Sequence, residues 1–349
     1  MLLFWILLLA LSLYIMGVIC DQYFVNSLEK IAQKFKMSSD AAGATLMAIG
    51  SSAPELFVSL SAVFIKDAGA PVGAGTIVGS ALFNILVIIG CSVIIKEATI
   101  NWQPLMRDML FYTISIIILL LFFLDGKISW IESLSFLFVY LIYVIAVIYW
   151  KKILPYQEKK PEEIEEPVLK KEKSCYDKIT QPLDIFIGYF FPKAKHYFLN
   201  FFISILFIAL LSFGLVESAK EIALITGIPK VIIALVILAA GTSVSDLISS
   251  VIAAKKGYGG MAVSNAIGSN VFDILIGLGL PWFLIFIING AEVQVQNDDL
   301  YSSIILLLAS VLLVFFVFFF QKWKVGKKSG YFLIGFYCLY LMFLIGKNI

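Results

Sequence analysis

The sequence has little of what most catalytic and cofactor sites require. Its 349 residues hold one histidine and four cysteines. Cys20, Cys91, Cys175 and Cys338 show no CxxC spacing, and they fall in three apolar runs and one polar loop. Neither a disulfide framework nor a zinc site is indicated. His196 lies beside Lys195 at the border of a polar stretch and reads as an interfacial side chain. No P-loop and no EF-hand loop occurs, which removes nucleotide hydrolysis. No apolar run holds a Ser–His pair or a His-containing metal motif, so an enzyme is not expected, nor is a resident cofactor, nucleotide or nucleic-acid partner. Charge is scarce too, at 14% of residues.

What is present is apolar: 61% of the chain is hydrophobic, with 30 phenylalanines, a mix that a water-soluble domain cannot sustain. The solvent is therefore lipid. A helix needs roughly 20 mainly apolar residues to cross the hydrocarbon core. Ten such stretches occur, at 1–20, 43–65, 72–95, 107–124, 130–150, 197–217, 229–254, 260–290, 301–320 and 331–348. Met1–Cys20 lacks the basic leader of a secretory signal and has too long an apolar run, so it is taken as the first span.

Lysine and arginine accumulate on the cytoplasmic side. With the N-terminus outside, the inward segments 21–42, 96–107, 151–196, 255–259 and 321–330 carry 21 of the 26 Lys and Arg. The expected class is an all-α polytopic protein of the plasma (cell inner) membrane.

The long polar stretch KKILPYQEKKPEEIEEPVLKKEKS opens a cytoplasmic linker, 151–196, too short for a core of its own. It separates five spans in 1–150 from five in 197–349. AIGSSAPELFVS (48–59) and GTIVGSALFNILVIIG (75–90) resemble AAGTSVSDLISS (239–250) and VSNAIGSNVFDILIGLG (263–279). An odd number of spans per half inverts the second half relative to the first. Two inverted five-helix repeats place a substrate site near the midplane where they meet.

Of the 24 acidic residues, all but Glu55, Asp246 and Asp273 fall in loops or near span ends. Asp108 and Glu132, at such ends, are expected to be solvated. A charge at mid-membrane costs about 2.5–3.5 kcal/mol on insertion scales. No basic side chain within a span pairs with these three, so the compensating charge is read as a bound cation. Ser51 and Glu55 are four apart, as are Thr242 and Asp246, Ser80 and Asn84, and Ser269 and Asp273, which puts each pair on one helix face. Ser52 and Ser243 add hydroxyls. Oxygen donors without His or Cys fit a hard cation, Ca²⁺ taking about 6–8 oxygens. Gly50, Pro54 and Gly241 interrupt the helices, and freed carbonyls, among them those of Ala48 and Ala239, can hold Na⁺. Gly79, Gly90, Gly268 and Gly279 read as packing positions. For Ser80 and Ser269 packing and ligation are both open. Asn84 is either an interhelical bond or, through its match to Asp273, a ligand.

At GSSAPE, GTSVSD and GSNVFDIL the sequence resembles the cation/calcium exchanger superfamily, most closely the potassium-dependent sodium/calcium exchangers. The resemblance covers both signature repeats, the ten-span arrangement and the central loop. It implies a secondary antiporter that exchanges Na⁺ for Ca²⁺ by alternating access. Glu55 and Asp246 would bind Ca²⁺, with Ser51 and Thr242 as Ca²⁺ and Na⁺ ligands. Ser52, Ser243, Ser80 and Ser269, with the Ala48 and Ala239 carbonyls, would fall at Na⁺ sites. Asp273 stands where K⁺-co-transporting members carry Asp. Ser245 replaces the proline common before the second acid, so a gentler bend is expected there. A Ca²⁺/H⁺ exchanger is the alternative, since buried carboxylates also bind protons.

Overall fold

A computed structural model describes residues 1–34, 52–65, 69–154, 175–192, 196–255, 259–295 and 297–348. Ala48, Gly50 and Ser51, with the rest of 43–51, lie outside the described residues, as does 155–174 of the linker.

Apolar runs in this chain become helices because nothing but an intrahelical partner satisfies backbone N–H and C=O groups in lipid. The first run is α1 (Leu2–Ile19), continued through a π-helical turn (Cys20–Val25) into α2 (Asn26–Lys34). There follow α3 (Ala53–Phe64), α4 (Ala70–Phe83), a π turn (Asn84–Ile88), α5 (Ile89–Ile95), α6 (Trp102–Phe122) and α7 (Trp130–Ile153). Past the linker come α8 (Cys175–Gly188), α9 (Tyr197–Thr226), α10 (Lys230–Ile233), a π turn (Ala234–Leu238), α11 (Ala239–Thr242) and α12 (Val244–Lys255). The last four are α13 (Gly259–Leu275), α14 (Gly279–Asn289), α15 (Asp298–Phe320) and α16 (Lys327–Asn348).

Among the described residues eight helical stretches are long and apolar enough to cross a membrane. Two shorter apolar helices, Ala53–Phe64 and Lys230–Thr242, occupy the other two expected spans. The expected run 229–254 breaks at Ser243, and 260–290 breaks between Leu275 and Gly279. Helix α6 starts earlier than the hydropathy edge at 107 and carries Arg107 and Asp108 inside.

Two apolar cores form. The larger unites α4–α7 with α13–α16; the smaller gathers α1, α3, α8 and α9, with part of the π turn after α10. The linker is thus not wholly irregular: α8 carries Ile187 into the smaller core, and Tyr14 of α1 donates to Asp184 at 2.7 Å. Just beyond it, Phe191 stacks on Tyr23 with ring centroids 3.8 Å apart.

Two pairs of short strands tie loops together. β1 (Ala98–Thr99) runs antiparallel to β4 (Lys324–Val325), and β2 (Lys127–Ile128) to β3 (Val293–Gln294). The first pair joins two segments expected inside, the second two expected outside.

Glycine brings the halves together at one decisive point. A side chain at Gly79 would fall on the Leu235 carbonyl and the Ala239 methyl, so α4 lies directly on the backbone of the seventh span. Gly90 of α5 and Gly330 of α16 make a second close crossing, where a Cβ at Gly90 would sit 3.0 Å from the Gly330 carbonyl oxygen. Gly279 is likewise pressed against Phe136. Gly268 is not: the nearest neighbour to a Cβ there is the Tyr143 hydroxyl at 3.7 Å, so close packing does not explain it.

Candidate functional site

Glu55 and Asp246 each sit in the first turn of a helix, α3 and α12. Ser52 (φ −96°, ψ 9°) precedes α3, and Ser243 (φ −84°, ψ 4°) precedes α12. The start is the same in both: Leu56 N–H donates to the Ser52 carbonyl and Leu247 N–H to the Ser243 carbonyl, each at 3.0 Å. Pro54 fits the first turn, where its missing N–H costs no helical bond. At Ser243 the seventh span divides into α11 and α12 without a proline at 245.

Close approach at Gly79 carries the adjacent Ser80 to the junction. Its hydroxyl lies 2.7 Å from that of Ser243, and both reach Glu55 Oε1, at 3.3 and 3.2 Å. Three residues, from the second, third and seventh expected spans, thus meet at one carboxylate oxygen. Thr242 lies beside Glu55, and its hydroxyl donates to the Ala239 carbonyl at 3.3 Å. That carbonyl also accepts from Ser243 N–H at 3.2 Å, so both its lone pairs are engaged. A cation held there would have to displace one of these donors.

Around this point buried oxygens go without donors. Among the described residues, Glu55 Oε2, both Asp273 oxygens, Asn84 Oδ1 and Ser52 Oγ have no hydrogen-bond partner, although their residues are almost wholly buried. Ser52 lies beside Asp273 without reaching hydrogen-bond geometry, and Asp273 is within electrostatic reach of Glu55 and Asp246. Each orphaned buried polar atom costs about 1–3 kcal/mol, and more when charged. Acceptors gathered without donors are what a hard cation satisfies. Among the described residues no three His, Cys, Asp or Glu side chains converge on one point. The oxygens left without partners belong to two carboxylates, one hydroxyl and one amide.

A family model described as "Sodium/calcium exchanger protein" matches residues 4–149 and 196–346. The chain belongs to the sodium/calcium exchanger family. It is 31% identical to sodium/potassium/calcium exchanger 2 of Gallus gallus, over 94% of this chain and 74% of that one. It is 30% identical to sodium/potassium/calcium exchanger 4 of Mus musculus, over 95% and 79%. Solved structures of the sodium-calcium exchanger NCX_Mj share its fold; one, soaked with 2.5 mM Na⁺ and 10 mM Sr²⁺, matches with a TM-score of 0.58 and 25% identity over 97% of this chain and 98% of that one. Family membership makes the chain a multi-pass membrane transporter of the cation/Ca²⁺ exchange class rather than an enzyme.

Within this sodium/calcium exchanger family member, the junction gathers Glu55, Ser80, Ser243, Thr242, Ala239, Ser52 and Asp273. Asp246 is buried close by. Ser269 turns back on its own helix, its hydroxyl 3.5 Å from the Ala266 carbonyl. Asn84 makes the interhelical bond that was one of its two readings, Nδ2 donating to Asn270 Oδ1 at 2.9 Å, and among the described residues its Oδ1 has no partner. Asn270 was not singled out by the sequence. It lies within GSNVFDIL one turn before Asp273, but its repeat counterpart is the apolar Ala81, so matching polar residues across the repeat passes over it. Asp108 corrects an expectation. It is buried rather than solvated, bound by Arg107 Nε at 2.8 Å and by the Tyr143 hydroxyl at 3.0 Å. Glu132, half-buried, closes a capping box with Ser129 at the start of α7.

Proposed function

We propose that this chain is an antiporter driving Ca²⁺ across the plasma membrane against Na⁺ by alternating access. Its ten spans form two inverted repeats, 1–150 and 197–349, joined by the cytoplasmic linker 151–196, with the N-terminus outside. Glu55 and Asp246 ligate Ca²⁺. Ser51, Ser52, Ser80, Thr242, Ser243, Ser269 and the Ala48 and Ala239 carbonyls serve Ca²⁺ and Na⁺, and Asp273 with Asn84 adds a K⁺ position. One observation carries this reading: the unpaired buried oxygens of Glu55, Ser52, Asn84 and Asp273 sit where the signature segments of both halves meet. The inverted repeat is supported by the matching helix starts after Ser52 and Ser243. It is supported again by the strand pairs, because exchanging the halves turns the β1–β4 connection into β3–β2.

In proteoliposomes loaded with Na⁺, radiolabelled Ca²⁺ is expected to enter only while an outward Na⁺ gradient exists, with the proton gradient collapsed. Uptake that follows a proton gradient in Na⁺-free medium would make the chain a Ca²⁺/H⁺ exchanger instead. Potassium is expected to stimulate uptake. In Asp273→Asn the K⁺ needed for half-stimulation should rise roughly 10- to 100-fold, since an interaction with a charged group is worth about 1.5–3 kcal/mol. Equal K⁺ response in the variant and the parent would remove Asp273 from the K⁺ position.

A further inference from the structure

We propose that Tyr112, on a helix outside both signature segments, helps hold the Asn84 amide with its oxygen towards the ion site, acting through Asn270 beside the Ala81 carbonyl. The inference rests on the cation-binding reading of that site. Tyr112, Asn270 and Asn84 are all fully buried, and α6 packs along α13 to bring the first two together. Asn270 Nδ2 lies 3.2 Å from the Ala81 carbonyl oxygen and 3.0 Å from the Tyr112 hydroxyl.

A backbone carbonyl can only accept, so the group Asn270 turns towards Ala81 must be its NH₂. The second amide hydrogen is then taken by Tyr112, and Asn270 Oδ1 is left facing Asn84. An amide oxygen also only accepts, so Asn84 has to present its own NH₂ there, at 2.9 Å. Its Oδ1 is thereby turned away from Asn270, buried and without a partner among the described residues. Each step forces the next, and the outcome is a neutral oxygen held ready for a cation. In the opposite orientation the same residue would point two amide hydrogens at the ion and repel it.

Tyr112 is thus a positioning residue, and its hydroxyl is the only part of it the relay uses. Tyr112→Phe keeps the ring in the core and leaves one buried Asn270 hydrogen unpaired. Asn270 then keeps only the Ala81 carbonyl to hold its amide, so the acceptor it offers Asn84 is held less firmly. One hydrogen bond has a net value of about 0.5–1.5 kcal/mol, so the half-saturating Ca²⁺ concentration is expected to rise roughly 2- to 12-fold, with a smaller change in maximal rate.

The decisive comparison is a four-protein cycle: parent, Tyr112→Phe, Asn84→Ala and the double variant. Each is read by Na⁺-driven Ca²⁺ uptake and by the rise in melting temperature on adding Ca²⁺. If Tyr112 acts through Asn84, the hydroxyl deletion adds nothing once Asn84 is alanine. An unchanged half-saturating Ca²⁺ in Tyr112→Phe, or a shift of the same size in the Asn84→Ala background, would overturn the relay and leave Tyr112 a packing residue. A parent without Na⁺-driven uptake would instead refute the transport reading. The Ca²⁺-dependent melting shift would then decide the relay on binding alone.

Discussion

Glu55→Gln and Asp246→Asn are each expected to lower Na⁺-driven Ca²⁺ uptake at least roughly 100-fold. A unit charge about 4 Å from another is worth roughly 4 kcal/mol per charge pair at an effective dielectric near 20, and a divalent ion doubles the loss. Neutral oxygens cannot replace that: Ser80 and Ser243 already meet Glu55 through hydroxyls, which are weaker ligands than a carboxylate. The substitution at Glu55 is also sterically mild. Gln keeps an acceptor at the Oε1 position for both hydroxyls, so the junction of the three helices is preserved. Because it removes a buried charge with an unpaired oxygen, the ion-free protein should melt no lower than the parent, and the stabilisation that Ca²⁺ confers should vanish. This pairing of results separates a lost ligand from a lost fold. Persistent uptake in both variants would sink the assignment of the site.

The membrane class, most span positions and the junction acids were legible because each rests on a one-dimensional pattern. Apolar length gives spans, and an acid in an apolar run stands out wherever it occurs. The helix starts were only half legible. Pro54 and Gly241 mark their neighbourhoods, but the helices carrying the acids start just after Ser52 and Ser243, and the second start needs no proline. The packing glycines look alike in sequence, yet only Gly79, Gly90 and Gly279 meet another element closely. What separates them from Gly268 is the path of the neighbouring backbone, which no single segment encodes. Asn270 was hidden by asymmetry, since its partner across the repeat is Ala81 and its role comes from the meeting of α4, α6 and α13. Helix α8 was hidden by its neighbourhood, because the charged run before it dominates the composition of the whole linker.

Arg107 and Asp108 were hidden for a further reason. They adjoin the hydropathy edge of a span, where charges are ordinarily solvated, and adjacent helix positions point about 100° apart. The pair nonetheless closes through two bonds, Nε to Oδ1 at 2.8 Å and Nη2 to Oδ2 at 3.1 Å, and Tyr143 of α7 donates to the same carboxylate. Trp150 strengthens that end of the α6–α7 hairpin by donating to the Gln103 carbonyl at 2.9 Å. Breaking a buried pair by removing one partner costs about 3–5 kcal/mol, because the other charge is stranded. Arg107→Ala is therefore expected to be strongly destabilising, lowering the temperature of half-unfolding of the detergent-solubilised protein. Removing both charges leaves no buried charge stranded, only the Tyr143 hydroxyl without its acceptor, so Arg107→Met combined with Asp108→Leu should recover most of the loss, a buried ion pair being replaceable by apolar groups of similar volume. The consequence reaches the site by contact: the Tyr143 hydroxyl that Asp108 holds lies against α13 at Gly268, one residue before Ser269 and five before Asp273. Arg107→Ala should accordingly weaken Ca²⁺ uptake even below its unfolding temperature, whereas the double variant should restore stability more fully than transport. Equal melting of the parent and Arg107→Ala, or a double variant no more stable than the single one, would show that the pair does not hold this end of the hairpin.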